Sequence, residues 1–352
     1  MGTAILKTKI QPSILPAKPP RTWRHPAQHL HAAMNAPWYG LVLDLQDAVT
    51  RATVNFFSTR GLRAAHLPIT TSSISSPMGL GSDSLPVAIE LHGERVYLAD
   101  SMQFLLEYAT RLAARGAYYI MPSFRGECHD TTHLNEFFHS EAELRGNLTD
   151  VLDTVDAYMT ALSGALLEVA ALTQTLQQRT RHLQTFASGG RAPRLTFDEV
   201  AVMLADIPDA IAHDPAGCRT LTRSGERALT LQMGGAAWVT EWDAIATPFY
   251  QATVERQGGL RSLNADLVLS GPGEVVGAGQ RHTTATEVLG ALHLRGIDPQ
   301  PYGWYLQMKH EAPLATAGFG LGVERLLCWA LGHDDIRDLQ LVPRLLGIPR
   351  AF

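Results

Sequence analysis

Apolar residues recur at helical spacing over residues 39–59, at Leu41, Leu45, Val49, Val54 and Phe57, and predict a long amphipathic helix. A short strand-like stretch over 65–70, holding Pro68, follows it. Two β-rich runs, Val87–Leu91 and 96–98, flank His92-Gly93 and read as a hairpin with a glycine turn. Residues 101–115 read as helix and 118–121 as a short apolar strand. Around Glu136 and Phe137 charged and apolar residues are mixed, and periodicity assigns nothing there. Over 148–186 one stripe (Val151, Leu152, Val155, Met159, Leu162, Leu166, Val169) predicts a long helical segment, stopped by Gly189-Gly190. Thr196-Phe197-Asp198-Glu199 is a capping box opening the next helix. Strand-like runs return at 236–240, 265–269 and 304–308, and a closing helix starts near Gly322. No internal repeat is visible. Strands and helices without regular βαβ alternation point to an α+β fold, an antiparallel sheet flanked by helices.

Composition narrows the class. The chain has 352 residues, 45% hydrophobic and 18% charged, as suits a globular enzyme with a sizeable core. Its net charge of −5 offers no general basic field to nucleic acid. Cys128, Cys218 and Cys328 are far apart and odd in number, giving neither a disulfide framework nor a zinc spacing, so a reducing, cytoplasmic location is expected. No apolar run reaches membrane-spanning length. Residues 1–43 hold no Asp or Glu, and Pro12, Pro16, Pro19, Pro20 and Pro26 make the start a poor helix or strand. With no hydrophobic signal core, residues 1–38 read as an extended Pro-rich arm ahead of one large domain, 39–352.

Three constellations carry candidate chemistry. Gly318-Phe319-Gly320-Leu321-Gly322-Val323-Glu324-Arg325 places glycines at alternate positions, where a strand can approach a ligand closely, and leads into a helix presenting Arg325. A plain glycine-rich strand with a paired Arg reads the same. Phe124-Arg125-Gly126-Glu127, followed by His133-Leu134-Asn135-Glu136-Phe137, offers an Arg that can grip a phosphate and an aromatic that can stack on a base. A surface hairpin with Arg–Glu pairs is the plainer reading. Asp266 and Glu274 on neighbouring strands, with Arg281 beyond them, fit a magnesium site completed by phosphate oxygens, or ordinary ion pairs.

Together these segments resemble the class II aminoacyl-tRNA synthetases of the asparaginyl/aspartyl type, in chain order and spacing. Tyr97-Leu98-Ala99-Asp100-Ser101-Met102-Gln103 resembles the family's YLxxSxQ segment, Asp266 to Glu274 its DxLxPxxGE segment, and Gly277-Ala278-Gly279-Gln280-Arg281 its GGSQR. Trp304-Tyr305, Ile336-Arg337-Asp338 and Pro343-Arg344 also agree, and Pro68 stands where the family's first motif has its proline. The resemblance implies ATP and Mg2+ as cofactors and activation of a small amino acid. Arg125 and Arg325 are then the catalytic cations. Glu127, His133, Phe137, Gly320 and Gly322 bind ATP. Ser101, Gln103 and Arg281 orient the amino acid, and Asp266 and Glu274 hold the metal. A homodimer through the helix at 41–57 is implied too.

Departures shape the expected acceptor. About 40 residues precede that helix, too few for the family's five-stranded anticodon-binding barrel, and Thr132 replaces the usual Arg before His133. Ala315-Thr316 replaces a Pro-His pair. The chain therefore resembles stand-alone archaeal asparagine synthetase-related proteins, which implies transfer to ammonia or a small amine without stable tRNA binding. Leu106 stands where the aspartyl members carry a Lys for the substrate's second carboxylate, so the amino acid stays open between Asp and Asn. A paralogue with an RNA or carrier-protein acceptor, and a non-catalytic regulatory paralogue, remain as alternatives.

Overall fold

The structure is a computed structural model and describes residues 19–75, 85–177, 179–214 and 217–347. Two single helical turns, Thr22–Arg24 and Pro26–Gln28, lead into α1 (His29–Asn35) and the long α2 (Pro37–Thr59). The described part of the expected arm is thus largely helical. Pro26 and Pro37 stand at first helical positions, where a missing N–H breaks no bond. Residues 1–18 of that arm lie outside the described residues.

Short strands β1 (Arg63–Ala64) and β2 (Thr70–Thr71) bracket the Pro68 stretch, which is itself not a strand. Next come β3 (Val87–Leu91) and β4 (Glu94–Leu98), joined where His92 and Gly93 both have positive φ (54° and 82°), as a tight hairpin turn requires. Then follow α3 (Gln103–Leu112), β5 (Gly116–Phe124) and β6 (Glu136–Arg145). The expected long helical segment divides into α4 (Leu148–Leu167), α5 (Ala170–Thr175) and α6 (Arg181–Ala187). After β7 (Arg194–Thr196), the capping box forms as read: the Glu199 N–H donates to Thr196 Oγ1 at 3.2 Å and the Thr196 N–H to Glu199 Oε2 at 2.7 Å. It opens α7 (Phe197–Met203). The chain continues through β8 (Ile211–His213), β9 (Arg219–Leu221), α8 (Arg223–Gln232) and β10 (Ala236–Thr240). It closes with β11 (Thr253–Arg256), β12 (Gly259–Ser262), β13 (Asn264–Leu269), β14 (Gly273–Gln280), α9 (Ala285–Leu294), α10 (Gly303–Glu311), β15 (Thr316–Gly322) and α11 (Val323–Leu331).

Helix α10 corrects the strand expected at 304–308. Its aromatic residues read as β, but Tyr305 and Lys309, one helical turn apart, are the two that bury.

Among the described residues the main sheet runs β1-β5-β6-β15-β14-β13-β10-β7, with parallel pairing only at its two edges. Side chains alternate between its faces. Ala142, Leu144, Leu267, Val276, Phe319 and Leu321 join α2, α4 and α11 in the main core, around Leu45, Phe57, Tyr158, Leu162 and Leu326. Val54, expected on the buried stripe, is 48% exposed. The other face of the same strands presents Glu141, Glu143, Asp266, Gly277, Gly318 and Gly320. This face carries the site. No helix among the described residues is long and apolar enough to cross a membrane.

Candidate active site

The loop between β5 and β6 is held at its root by Asn135. Its Nδ2 donates to the carbonyls of Arg125 (3.1 Å) and Glu127 (2.6 Å), and the Arg125 N–H donates to the Asn135 carbonyl. Inside the loop Asp130 accepts the N–H groups of Thr132 (2.6 Å) and His133 (2.8 Å). Burial pulls the Asp130 carboxyl upward, but these donors and the His133 ring hold it at about 2. The loop thereby presents Arg125 with its guanidinium carbon 5.5 Å from the Phe137 ring centroid, while the His139 ring lies edge-on to Phe137 at 4.8 Å. Arg125 Nε is buried without a partner among the described residues, a donor awaiting an acceptor.

Arg325 reaches this place from the first turn of α11. Its Nη1 donates to the Glu274 carbonyl at 2.7 Å, and its Nη2 lies 3.4 Å from the Thr132 carbonyl. A cavity of about 220 Å3 is lined by Arg125, His133, Phe137, His139, Glu274, Gly320, Gly322 and Arg325. It brings together most of the residues expected at ATP. Glu127 is the exception: its carboxylate accepts the Leu85 N–H at 3.0 Å and contributes to no wall of this cavity.

An adjoining cavity of about 370 Å3 shares Arg125, His139, Glu274 and Gly320 with the first, and adds Ser101, Gln103, Asp266 and Arg281. Asp266 on β13 and Glu274 on β14 converge over Gly277. A Cβ built there would stand 3.1 Å from Glu274 Oε1 and 3.7 Å from Asp266 Oδ1. Burial, then the charges of Glu274 and Glu226, push the Asp266 carboxyl well above the usual carboxylate range. Arg325 lies 4.0 Å from the Glu274 carboxylate and Arg223 pairs with Glu226, but Asp266 has no ion-pair partner of its own among the described residues, so a divalent ion would relieve the crowding. Two carboxylates are what Mg2+ takes from a protein where substrate oxygens and water complete its shell.

Sequence reasoning missed two acids here, Glu141 in the cavity wall and Glu143 buried beneath it. Glu141 accepts Ser101 Oγ at 2.6 Å, the Tyr119 hydroxyl, and His139 Nδ1 at 3.1 Å. Burial lifts its carboxyl, but His139, Ser101 and Tyr119 outweigh that and hold it below the usual range. Glu143 grips Arg281. Burial pushes this acid up to about 7, with Arg281 pulling against it and the buried Glu107 adding to the rise. Two glycines of β15 also make room for these carboxylates: a Cβ at Gly318 would come within 1.9 Å of Glu143 Oε2, and one at Gly320 within 2.9 Å of Glu141 Oε1. The readable signal is the Glu141-Ala142-Glu143 alternation, acids on one face of a strand whose other face enters the core. Glu226 and Gln251 also line the cavity, brought in from distant segments. Leu106 does not: it is 1% exposed and packs with Ala99, Met102, Ala117 and Tyr119, so it is core rather than pocket wall.

Residues 25–346 match the family model of tRNA synthetases class II (D, K and N). The asparagine–tRNA ligase of Thermoplasma acidophilum is 24% identical over 327 residues, covering 90% of this chain and 72% of that protein. That of Sorangium cellulosum is 25% identical over 339 residues, covering 91% and 72%. The fold is similar to asparaginyl-tRNA synthetase from Pyrococcus horikoshii complexed with asparaginyl-adenylate, with a TM-score of 0.80 at 24% identity over 92% of this chain and 73% of that one. The Entamoeba histolytica enzyme with asparaginyl-adenylate gives 0.76 at 23% identity, over 92% and 71%. With its antiparallel sheet, and with Arg125 and Arg325 converging on its open face, this chain belongs to the class II tRNA synthetases of the D, K and N group.

Proposed function

We propose that the protein activates an asparagine-like amino acid with ATP, releasing pyrophosphate, and passes the acyl group to ammonia or a small amine. The observation that carries this reading is the meeting of two cavities at Arg125, one walled by Phe137 and Arg325, the other by Ser101, Gln103, Asp266 and Arg281. Adenine stacks on Phe137 with Arg325 beside the polyphosphate, and Arg125 Nε takes an α-phosphate oxygen. Glu141 takes the α-ammonium of the amino acid. Its carboxylate, ionised without help at neutral pH, attacks the α-phosphorus in line and the bond to pyrophosphate breaks. Asp266 and Glu274 would hold Mg2+, which when bound neutralises polyphosphate charge.

Charge selects the side chain. The cavity's acids are Asp100, Glu141, Glu226, Asp266 and Glu274, against Arg125 and Arg281. Arg281 is already matched by Glu143. A second substrate carboxylate would enter an acidic site with its one neighbouring guanidinium engaged, whereas a neutral amide adds no negative charge and its carbonyl can still accept from Arg281. Asparagine therefore fits better than aspartate.

Retention of Arg125, Arg325, Asp266 and Glu274 argues against a non-catalytic paralogue. An RNA acceptor is the second reading, favoured by kinship to tRNA ligases. Against it stands the net charge of −5, where a polyanion calls for basic surface. We also propose a homodimer through the outward face of α2. Pyrophosphate exchange across a panel of amino acids tests the activation step: asparagine-dependent exchange is expected, and exchange with no amino acid, or with none of the panel, overturns it.

A further inference from the structure

Resting on the activation reading above, we propose that a third cavity beside Arg125 is the acceptor site, and that it takes a small primary amine with an apolar body. A ligase of this kind must bring three molecules to one carbonyl. Arg125 lines each of three cavities among the described residues: the nucleotide cavity, the amino-acid cavity, and one of about 680 Å3. The third is the largest of these and falls in the size range of small-molecule sites.

Its lining states what it takes. Trp23, Pro26, Pro86, Val87, Leu98 and Phe124 give an apolar surface, and Leu345 and Leu346 extend it. The charged side chains in the lining are Arg125, Arg344 and Glu136. Two guanidiniums against one carboxylate leave the lining net cationic, which disfavours an ammonium and suits the unprotonated amine that must attack. An amine with an aliphatic or aromatic body loses apolar surface to water and gains on the order of 25 cal/mol per Å2 buried.

The wall is built, not loose. Trp23 Nε1 donates to Asp338 Oδ1 at 2.9 Å, and its ring lies 3.8 Å from the Arg337 guanidinium carbon. His29 Nε2 lies 2.9 Å from the Leu341 carbonyl oxygen. These contacts tie residues 22–29 to residues 337–341, so the two segments close one side of the cavity.

In the transfer step the unprotonated amine attacks the carbonyl carbon of the acyl adenylate. The C–N bond forms, the bond to the phosphate oxygen breaks, AMP leaves with that electron pair, and the nitrogen's spare proton passes to solvent.

The test uses the full-length protein with ATP, Mg2+ and asparagine, and offers ammonia, ethylamine, butylamine, phenethylamine and deacylated bulk tRNA. Amide product is read by mass spectrometry and activation by pyrophosphate exchange. Amide kcat/KM is expected to rise at least tenfold from ammonia to the larger amines. Val87→Trp, which fills the cavity, is expected to raise KM for phenethylamine at least tenfold while changing KM for ammonia and the exchange rate less than twofold. Equal use of all amines, an unchanged phenethylamine KM in the variant, or charging of tRNA with no amide formed each overturn the proposal. The wild-type amine series decides the matter even if the variant fails to fold. Loss of exchange in the wild type condemns the activation reading instead, and the acceptor assignment falls with it.

Discussion

Arg281 and Glu143 form an ion pair sealed beneath the amino-acid cavity, with Nη2 3.0 Å and Nε 3.2 Å from the same Oε2, and side chains 3% and 0% exposed. Gln251 Oε1 accepts from Nη1 at 3.2 Å, and the guanidinium carbon lies 5.2 Å from the Tyr250 ring centroid. Behind Glu143, Glu107 is matched by the fully buried Lys309. The pocket's one deep cation thus arrives already neutralised.

That relationship predicts a specificity change. In Glu143→Gln the guanidinium loses its counter-charge and becomes available to a substrate carboxylate. Aspartate-dependent exchange should rise about tenfold relative to asparagine-dependent exchange, a shift of about 1.4 kcal/mol. Breaking a buried pair also leaves a charge uncompensated, so urea denaturation should show a loss on the order of 3 kcal/mol. An unchanged ratio of the two amino acids, with the stability loss present, would reduce the pair to scaffold.

Glu324 gives a pH prediction. It is 2% exposed and accepts the Phe138 N–H at 3.0 Å, and burial pushes its carboxyl from 4.5 up to about 7, opposed mainly by that donor. A folded pKa raised above the unfolded one means the native state holds its proton longer. The associated stability is full below about 4.5 and is lost as pH rises to about 7. The shift corresponds to roughly 3 kcal/mol. Glu324→Gln keeps an acceptor and removes the titration. Its urea midpoint should match wild type at pH 4.5 and exceed it at pH 8. Parallel pH profiles of the two proteins would contradict this.

For the metal site, function and stability should move in opposite directions. Asp266→Asn keeps shape and removes one of the crowded charges that Glu274 and Glu226 oppose. The metal-free protein should therefore melt higher in the variant, while magnesium-dependent exchange falls on the order of 10²–10³-fold. A magnesium titration identical to wild type would mean the acids are structural.

How far the chain was readable varies by element for physical reasons. Arg125, Phe137, Asp266 and Arg325 are legible because each falls in a segment that resembles a family motif, and the structure gathers them around two adjoining cavities. Glu141 and Glu143 are not, because β6 points acids to the open face and packs its alternate side chains against the core, and this mixture obscures the strand itself. Glu226 and Gln251 enter from separate segments whose closeness is tertiary only. Leu106 shows the converse error. Its alignment with a substrate-binding Lys says nothing of direction, and the side chain turns into the core against Met102 and Tyr119. The expected strand at 304–308 fails because aromatic residues satisfy β propensity and helix burial alike, and tertiary packing decides.

Assembly is testable through α2. Leu43 and Val54 are 54% and 48% exposed, and eleven residues of helix separate them. Eleven residues make about three turns, so both project within roughly 20° of each other on one outward face. An apolar pair on a helix whose opposite side is used by the core suits a two-fold contact in which the helix meets its own copy. Wild-type protein should sediment as a dimer at micromolar concentration. Val54→Asp should shift it to monomer with little change in unfolding midpoint, because that side chain is half exposed within the single chain. Wild type sedimenting as monomer, or Leu43→Asp and Val54→Asp both remaining dimeric, would move the interface elsewhere.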